Sequence, residues 1–232
     1  NKLLDYKKLI EIILKLQKIK PREFYYFRKN KIKFIKYSLN QLHKESDLFF
    51  DWYLKFTIKN KNLSKIKKAL RQELNSIYKK LHFKNVYFTH RDFHASNIML
   101  NNKKLGVIDS QDAIIGNPLY DVASLIDDVR IKLPENLKDN LFKYYELQSK
   151  LKINKVHDLK NDFDILSVQR NLKILGIFVR LYKRDQKASY LKYLPYTWSI
   201  IDKRMKNPIF SKLNILFKKH LPLKKFKKLH KI

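Results

Sequence analysis

Hydrophobic residues recur at intervals of three and four along most of the chain, with lysines between them. This spacing predicts a mainly helical protein. In the first part of the chain, helices are expected at Leu3–Ile19, at about Asn40–Phe56 and at Leu63–Leu81. Pro21 ends the first of these helices, and Ser64 is the predicted N-cap of the third. In the second part, helices are expected at residues 118–129, 135–151 and 162–182, and from Pro208 onwards.

One of these segments, Asp162–Tyr182, is apolar around most of its circumference, which predicts a central, buried helix. Gly176 lies inside it, at a helix position where glycine costs about 1 kcal/mol relative to alanine. A helix that contains glycine there is expected to pack closely against a neighbour.

Short strands are expected between the helices. Val86–Phe88 has the composition of a short buried strand. Ile98–Leu100 and Leu105–Ile108 are predicted to form a hairpin around the turn Asn101–Lys104. Phe24–Ile35 is aromatic and basic, and is expected to be an irregular packed segment. The predicted fold class is therefore α+β, mainly α.

The candidate chemistry is concentrated in one stretch, Phe88–Asp112, with the sequence FTHRDFHASNIMLNNKKLGVIDSQD. Asp92 is followed after four residues by Asn97, and the hairpin would bring Asn97 close to Asp109. All three side chains offer oxygen atoms, the ligands that Mg²⁺ prefers. A phosphotransferase needs one carboxylate to orient the acceptor hydroxyl, and an amide and a second carboxylate to hold Mg²⁺ on the phosphates of ATP. The spacing therefore predicts an ATP- and Mg²⁺-dependent kinase.

Several further charged residues are candidates for roles near the site. Asp121, in the first turn of its helix, is either a charge that the helix dipole stabilises or a buried carboxylate that anchors the catalytic loop, and the second role is preferred. Glu45 either points at an acceptor site or faces solvent. Asp127 and Asp128 are predicted to be surface acids. The candidates for contacts with the acceptor are Glu45, Asp112 and Arg180.

The charge of the chain bears on whether it binds a nucleic acid. Of the 232 residues, 52 are Lys or Arg and 21 are Asp or Glu, so the formal net charge is +31. Such a charge is typical of proteins with polyanionic partners, but only nine of the basic residues are Arg, which nucleic-acid readers favour. We therefore interpret the charge as a solvated lysine surface and do not expect a nucleic-acid partner.

The cellular compartment is also constrained by composition. There is no Cys, which excludes disulfides and thiolate zinc sites. No apolar run reaches the roughly 18 residues of a membrane span, and the first ten residues do not have the pattern of a signal peptide. A cytoplasmic location is expected.

The stretches HRDFHASN and GVIDSQDAIIGNPLYDVASL resemble the aminoglycoside phosphotransferase and choline kinase superfamily. The sequence is most similar to the bacterial anomeric kinases that phosphorylate N-acetylmuramate and N-acetylglucosamine at the 1-hydroxyl during cell-wall recycling. Three further stretches carry this similarity, namely residues 45–54, 169–181 and 184–195. The resemblance implies a protein-kinase-like fold and a small-molecule acceptor, an amino sugar.

The resemblance also implies a role for each residue of the motif. Asp92 matches the catalytic base, and Asn97 and Asp109 match the metal ligands. Asp121 matches the acid that anchors the catalytic loop. Three further residues match loop positions that shape the site: His90, Arg91 and His94.

A complete kinase of this type also has an N-terminal lobe with a glycine-rich loop over the phosphates. This chain has only three glycines and no such loop, so residues 1–232 are expected to form one C-terminal lobe of a longer protein. Three alternatives stay open: a related kinase with another alcohol acceptor such as an aminoglycoside or choline, a basic nucleic-acid-binding module, and a lobe that binds a partner without catalysis. The oligomeric state is also open.

Overall fold

The structure, a computed structural model, describes residues 2–22, 24–58, 62–102, 104–151 and 156–221. Helices dominate these ranges, as the periodicity predicts. The α-helices are α1 (Lys2–Gln17), α2 (Leu39–Leu48), α3 (Lys55–Thr57), α4 (Leu63–Tyr78), α5 (Leu119–Ile126), α6 (Glu135–Gln148), α7 (Val156–Asp185), α8 (Leu194–Arg204) and α9 (Ser211–His220). No helix in the described part of the chain is long and apolar enough to cross a membrane.

Strands form three antiparallel pairs within the described ranges. The pairs are β1 (Phe24–Phe27) with β2 (Asn30–Lys33), β3 (Tyr87–Thr89) with β6 (Ile114–Gly116), and β4 (Ile98–Asn101) with β5 (Lys104–Val107). The β4–β5 hairpin is the one predicted from the sequence, and Ile98 lies opposite Val107 in its register.

The chain divides into two compact units, each built from two separate segments. Unit 1 contains the described residues of 1–38 and 82–163, and unit 2 contains those of 39–81 and 164–232. The catalytic stretch predicted from the sequence lies in unit 1.

The core of unit 1 is built around α5, in which all eight residues are buried. The ring of Tyr120 meets that of Tyr37 edge-on at 5.1 Å between centroids. Asp162 is also buried, and its carboxylate accepts hydrogen bonds from the backbone nitrogens of His82 (2.8 Å) and Phe83 (2.9 Å) and from Asn117 Nδ2 (2.7 Å). Burial raises the pKa of Asp162, whereas these three hydrogen bonds act in the opposite direction.

Unit 2 contains an aromatic cluster, which we define as Phe49, Tyr53, Trp198 and Phe217. Phe49 stacks on Tyr53 with 5.4 Å between ring centroids, and Trp198 Nε1 donates a hydrogen bond of 2.6 Å to Tyr53 Oη. Burial raises the pKa of the Tyr53 hydroxyl, which therefore stays protonated.

The helix predicted at about 40–56 is present, but it is not regular. A π-helical turn at Phe49–Leu54 separates α2 from α3. Directly before this turn, the backbone carbonyl of Leu48 packs against Gly176 of α7, where a Cβ atom would lie 2.3 Å from the carbon and the oxygen of Leu48. The close packing predicted from Gly176 is confirmed.

Three local predictions are wrong. Phe24–Ile35 is not irregular, because its aromatic residues favour strands and Arg28 adopts the left-handed conformation (φ 55°) that a two-residue turn needs. The strand predicted at 86–88 begins one residue later and is only partly buried, with Val86 51% exposed. The N-cap position of α4 is occupied by Asn62 rather than Ser64, because the helix already starts at Leu63.

Candidate active site

The loop His90–Asn97, which we call the catalytic loop after its predicted role, follows β3 directly. The pairing of β3 with β6 fixes the strand that leads into His90, and the loop ends in a 3₁₀ turn at Ala95–Asn97. β4 begins at the next residue. Ile108 N donates to the carbonyl oxygen of Asn97 (3.0 Å), which extends the hairpin pairing by one step beyond β4 and β5. Asn97 and Asp109 therefore lie at the same end of the hairpin.

Hydrogen bonds within the loop converge on the carbonyl oxygen of Asp92. It accepts from His94 N and from Asn97 Nδ2, each at 3.0 Å. Because the amide nitrogen of Asn97 is used in this way, its Oδ1 atom is the one that can bind a cation. It makes no hydrogen bond to the described residues.

Both carboxylates of the motif also keep their oxygen atoms available. Asp92 is half-buried and Asp109 is exposed, and neither carboxylate makes a hydrogen bond or an ion pair with a described residue. This is notable in a chain of net charge +31, in which lysines are abundant. Three oxygen-bearing side chains without a donor among the described residues therefore come from one loop and the adjacent end of one hairpin.

Two residues of the site have a strained backbone. Arg91 (φ 76°) and Asp109 (φ 68°) both adopt the left-handed conformation, which costs about 1–3 kcal/mol for most residues other than glycine. Aspartate tolerates this conformation comparatively well because its side chain is short and polar, whereas arginine does not. The surrounding structure must therefore hold Arg91 in place.

Asp121 supplies part of that support. Its buried carboxylate accepts hydrogen bonds from His90 N at 2.7 Å and from Arg91 N at 2.9 Å. Both bonds involve a charged acceptor and are therefore stronger than neutral ones. Because α5 is buried along its whole length, the carboxylate is held rigidly against the loop. Whether Asp121 acts on catalysis in this way stays a prediction.

The prediction that Asp127 and Asp128 are surface acids is wrong: they are 0% and 2% exposed. Asp127 forms an ion pair of 3.0 Å with the equally buried Lys138. Asp128 Oδ2 accepts a hydrogen bond of 3.0 Å from Ala95 N in the catalytic loop. The reason is that α5 runs through the core of unit 1, so that the residues after its last turn are still inside the protein.

The histidines of the loop are buried. Neither ring nitrogen of His90 has a hydrogen-bond partner among the described residues. Burial lowers the pKa of His90, although the nearby Asp92 carboxylate, the backbone of Ile108 and the Asp109 carboxylate act in the opposite direction. His90 is therefore neutral at pH 7 and fills space beside Phe93, at 5.9 Å between ring centroids. His94 is buried in the same loop.

The three candidates for contacts with an acceptor lie in different places. Asp112 is exposed in a 3₁₀ turn, three residues after Asp109 in unit 1. Arg180 belongs to α7 in unit 2 and is half-buried. Glu45 also belongs to unit 2, where it is 4% exposed and accepts hydrogen bonds from Gln169 Nε2 (2.9 Å) and Lys173 Nζ (3.0 Å). The alternative that Glu45 faces solvent is wrong.

Asn97 and Asp109 have suitable chemistry for Mg²⁺. In the described ranges, no three His, Cys, Asp or Glu side chains form a metal-binding group. Mg²⁺ does not need such a cage, because phosphate and water oxygens complete its coordination around one or two protein ligands. An amide oxygen and a carboxylate that accept no hydrogen bond from a described residue fit that requirement.

Comparison with known proteins identifies a family and two relatives with similar sequences. The model of the phosphotransferase enzyme family (APH) matches residues 5–154. The N-acetylmuramate/N-acetylglucosamine kinase of Neisseria meningitidis serogroup B is 31% identical over 163 residues, which are 68% of this chain and 49% of that protein. The kinase of the same name from Pseudomonas aeruginosa is 32% identical and covers 66% and 47% of the two chains.

Two solved structures share the fold. A choline/ethanolamine kinase family protein from Mesorhizobium loti superposes with a TM-score of 0.58 at 13% identity, over 89% of this chain and 64% of the other. A spectinomycin phosphotransferase in complex with ADP and spectinomycin gives 0.50 at 11% identity, over 87% and 64%. The chain spans about half the length of the curated relatives that it matches.

Proposed function

This chain belongs to the phosphotransferase enzyme family, and from that premise we propose that it carries the catalytic centre of an ATP- and Mg²⁺-dependent kinase acting on a hydroxyl of an amino sugar. The observation that carries the proposal is a set of side-chain oxygen atoms on Asp92, Asn97 and Asp109 that have no hydrogen-bond partner among the described residues, and that are held by one loop and one hairpin. The protein-kinase-like fold expected from the sequence is shared with the two solved phosphotransferases, and supports the same conclusion.

In the proposed mechanism, Asp92 accepts a hydrogen bond from the acceptor hydroxyl and takes its proton as the oxygen attacks the terminal phosphoryl group of ATP. The bond from that phosphorus to the bridging oxygen breaks, and ADP leaves. Asn97 Oδ1 and the Asp109 carboxylate would hold Mg²⁺, which, when bound, neutralises charge on the phosphate oxygens. His90 stays neutral and does not compete for the proton. Asp121 keeps the loop in the strained conformation that presents Asp92.

The choice of an amino sugar rests on the relatives, whose names specify N-acetylmuramate and N-acetylglucosamine. Because this chain covers about half of those proteins, the acceptor and the activity of the whole protein are part of the proposal. We expect the reaction in the cytoplasm, where ATP is available. Another alcohol acceptor is an outcome that the test below can identify.

The test measures ADP release by the complete natural protein with Mg²⁺ and ATP. The acceptor panel contains N-acetylmuramate, N-acetylglucosamine, choline and kanamycin. We expect release that depends on an amino sugar, and a loss of about 10²–10⁴-fold in kcat for Asp92→Asn, the range for removing a general base. Ser96→Ala, an exposed change in the same loop, is the matched control.

Two results would contradict the proposal. If Asp92→Asn retained turnover within a few fold of the wild type, Asp92 would not be the base. If the folded protein bound ATP but released ADP with no acceptor of the panel, or with choline or kanamycin alone, the amino-sugar assignment would be wrong.

A further inference from the structure

Buried carboxylates contact the catalytic loop near both of its ends. Asp121 accepts hydrogen bonds from the first two residues of the His90–Asn97 loop, as described above. Near the other end, Asp128 Oδ2 accepts from the backbone nitrogen of Ala95 at 3.0 Å. The family motif accounts for Asp121, but it gives Asp128 no role.

The contact at Ala95 is important because this residue begins the turn that carries Asn97. Ala95 is the first residue of the 3₁₀ turn that ends at Asn97, and its carbonyl oxygen accepts from Ile98 N, the first residue of β4. Asn97 N in turn donates to the carbonyl oxygen of His94 at 2.9 Å. The position of Ala95 therefore determines where the amide side chain of Asn97 lies.

Asp128 is suited to fix that position. Its other oxygen, Oδ1, accepts from Arg130 N at 3.0 Å and lies 3.4 Å from Arg130 Nη1. The carboxylate is thus oriented by a second contact. The carboxylate is only 2% exposed, and its bond to the Ala95 N–H group is part-buried. Asp128 therefore contacts both the catalytic loop and the chain that follows α5.

We propose that Asp128 is a positioning residue that holds the Ala95–Asn97 turn in place, so that Asn97 Oδ1 is correctly placed to bind the metal ion. This inference rests on the proposed function, because it assigns the metal to Asn97. It predicts a defect in metal binding that is larger than any defect in binding the acceptor.

The adjacent residue provides a matched control. Asp127 is equally buried and follows the same helix, and it forms an ion pair with Lys138. Asp127→Asn should lower stability without changing the affinity of the folded protein for the metal. Asp128→Ala removes the Ala95 contact completely, whereas Asp128→Asn keeps the shape and one acceptor atom. If Asp128→Ala does not fold, the same measurements are made on Asp128→Asn.

The experiment uses the complete natural protein and measures Mn²⁺ binding in the presence of ADP by electron paramagnetic resonance, with Mn²⁺ in place of Mg²⁺. We expect the dissociation constant for Mn²⁺ to rise about tenfold or more in Asp128→Ala, by less in Asp128→Asn, and not at all in Asp127→Asn, since misplacing one of the protein ligands weakens the site. In kinetics, kcat at fixed Mg²⁺ should fall while KM for the acceptor stays the same.

Amide hydrogen exchange gives a readout that does not depend on activity. In folded protein, the amides of Ala95 and Asn97 should exchange faster in Asp128→Ala than in Asp127→Asn. If the Asp127 and Asp128 variants changed metal affinity equally, or if neither changed it, Asp128 would have only a structural role and the inference would be wrong. If the wild type phosphorylated no acceptor, the proposed function would fail, while Mn²⁺ binding and exchange would still test Asp128.

Discussion

Replacing Gly176 by alanine tests the packing of α7 against the end of α2. At most helix positions this change is stabilising, because alanine favours the helix over glycine by about 1 kcal/mol. Here the added Cβ atom would lie 2.3 Å from both the carbon and the oxygen of the Leu48 carbonyl, and 2.7 Å from Phe49 N. The sign of the effect therefore depends on which contribution is larger.

The geometry favours the clash. Ordinary van der Waals contact begins at 3.4 Å, so the backbone next to the π-helical turn would have to move by about 1 Å. Overpacking in a core costs typically about 1–3 kcal/mol, and here the obstacle is backbone, which cannot change rotamer. We expect the cost to be at or above the upper end of that range. After the helix-propensity gain is subtracted, Gly176→Ala should destabilise unit 2 by roughly 2 kcal/mol.

Urea unfolding followed by circular dichroism measures the difference. Gly106→Ala is the control, because an added Cβ at Gly106 meets no atom within 4 Å. It should change the free energy of unfolding by less than about 0.5 kcal/mol. If Gly176→Ala were as stable as the wild type or more stable, the close approach of α7 to Leu48 would not exist in the protein, and the reasoning would be refuted.

Two further predictions concern buried titratable side chains in unit 1. Lys138→Met should destabilise the fold by about 3–5 kcal/mol, because it removes the counter-charge of the buried Asp127 carboxylate. In the double variant Lys138→Met/Asp127→Asn, the carboxylate that Lys138→Met leaves without its counter-charge is also removed. Its thermal midpoint should therefore lie above that of Lys138→Met alone, and a lower midpoint would contradict the prediction. Because burial lowers the pKa of His90 in the folded state, the unfolded chain binds this proton more readily, and stability should fall as the pH drops below about 6.5. Between pH 7.5 and 5.5 the urea midpoint should fall further for the wild type than for His90→Gln, and equal shifts would show that His90 does not contribute.

The parts of the fold that could be predicted are those encoded in neighbouring residues. Helix α4 places Ile66, Leu70, Leu74 and Ile77 on its buried face, as their spacing indicates. The β4–β5 hairpin follows from two apolar runs around a polar turn. The β1–β2 hairpin was not predicted, because its turn lacks the glycine or asparagine that usually marks a two-residue loop, and Arg28 takes the left-handed conformation instead.

In the candidate site, too, the features that could be predicted are those encoded in neighbouring residues. The spacing of Asp92, Asn97 and Asp109 is visible in the sequence, although their catalytic roles stay predictions. The contact between Asp128 and Ala95 joins residues 33 positions apart, and no periodicity reveals it. The sequence does contain one indication of this contact. Asp127 and Asp128 directly follow α5, which is apolar except for Asp121 and Ser124. Because a buried carboxylate needs hydrogen-bond or ionic partners, acids at that position point to partners inside the protein.

The interleaving of the two units has a consequence for synthesis on the ribosome. Tyr53 and Trp198, which share a hydrogen bond in the aromatic cluster, are 145 residues apart in the chain. At about 5–20 residues per second, the ribosome needs roughly 7–30 s to make the second partner after the first. During that time Phe49 and Tyr53 lack the ring of Trp198, which contacts both of them in the folded unit. The nascent chain is therefore expected to depend on chaperones until α8 has emerged, and unit 2 should fold only late in translation.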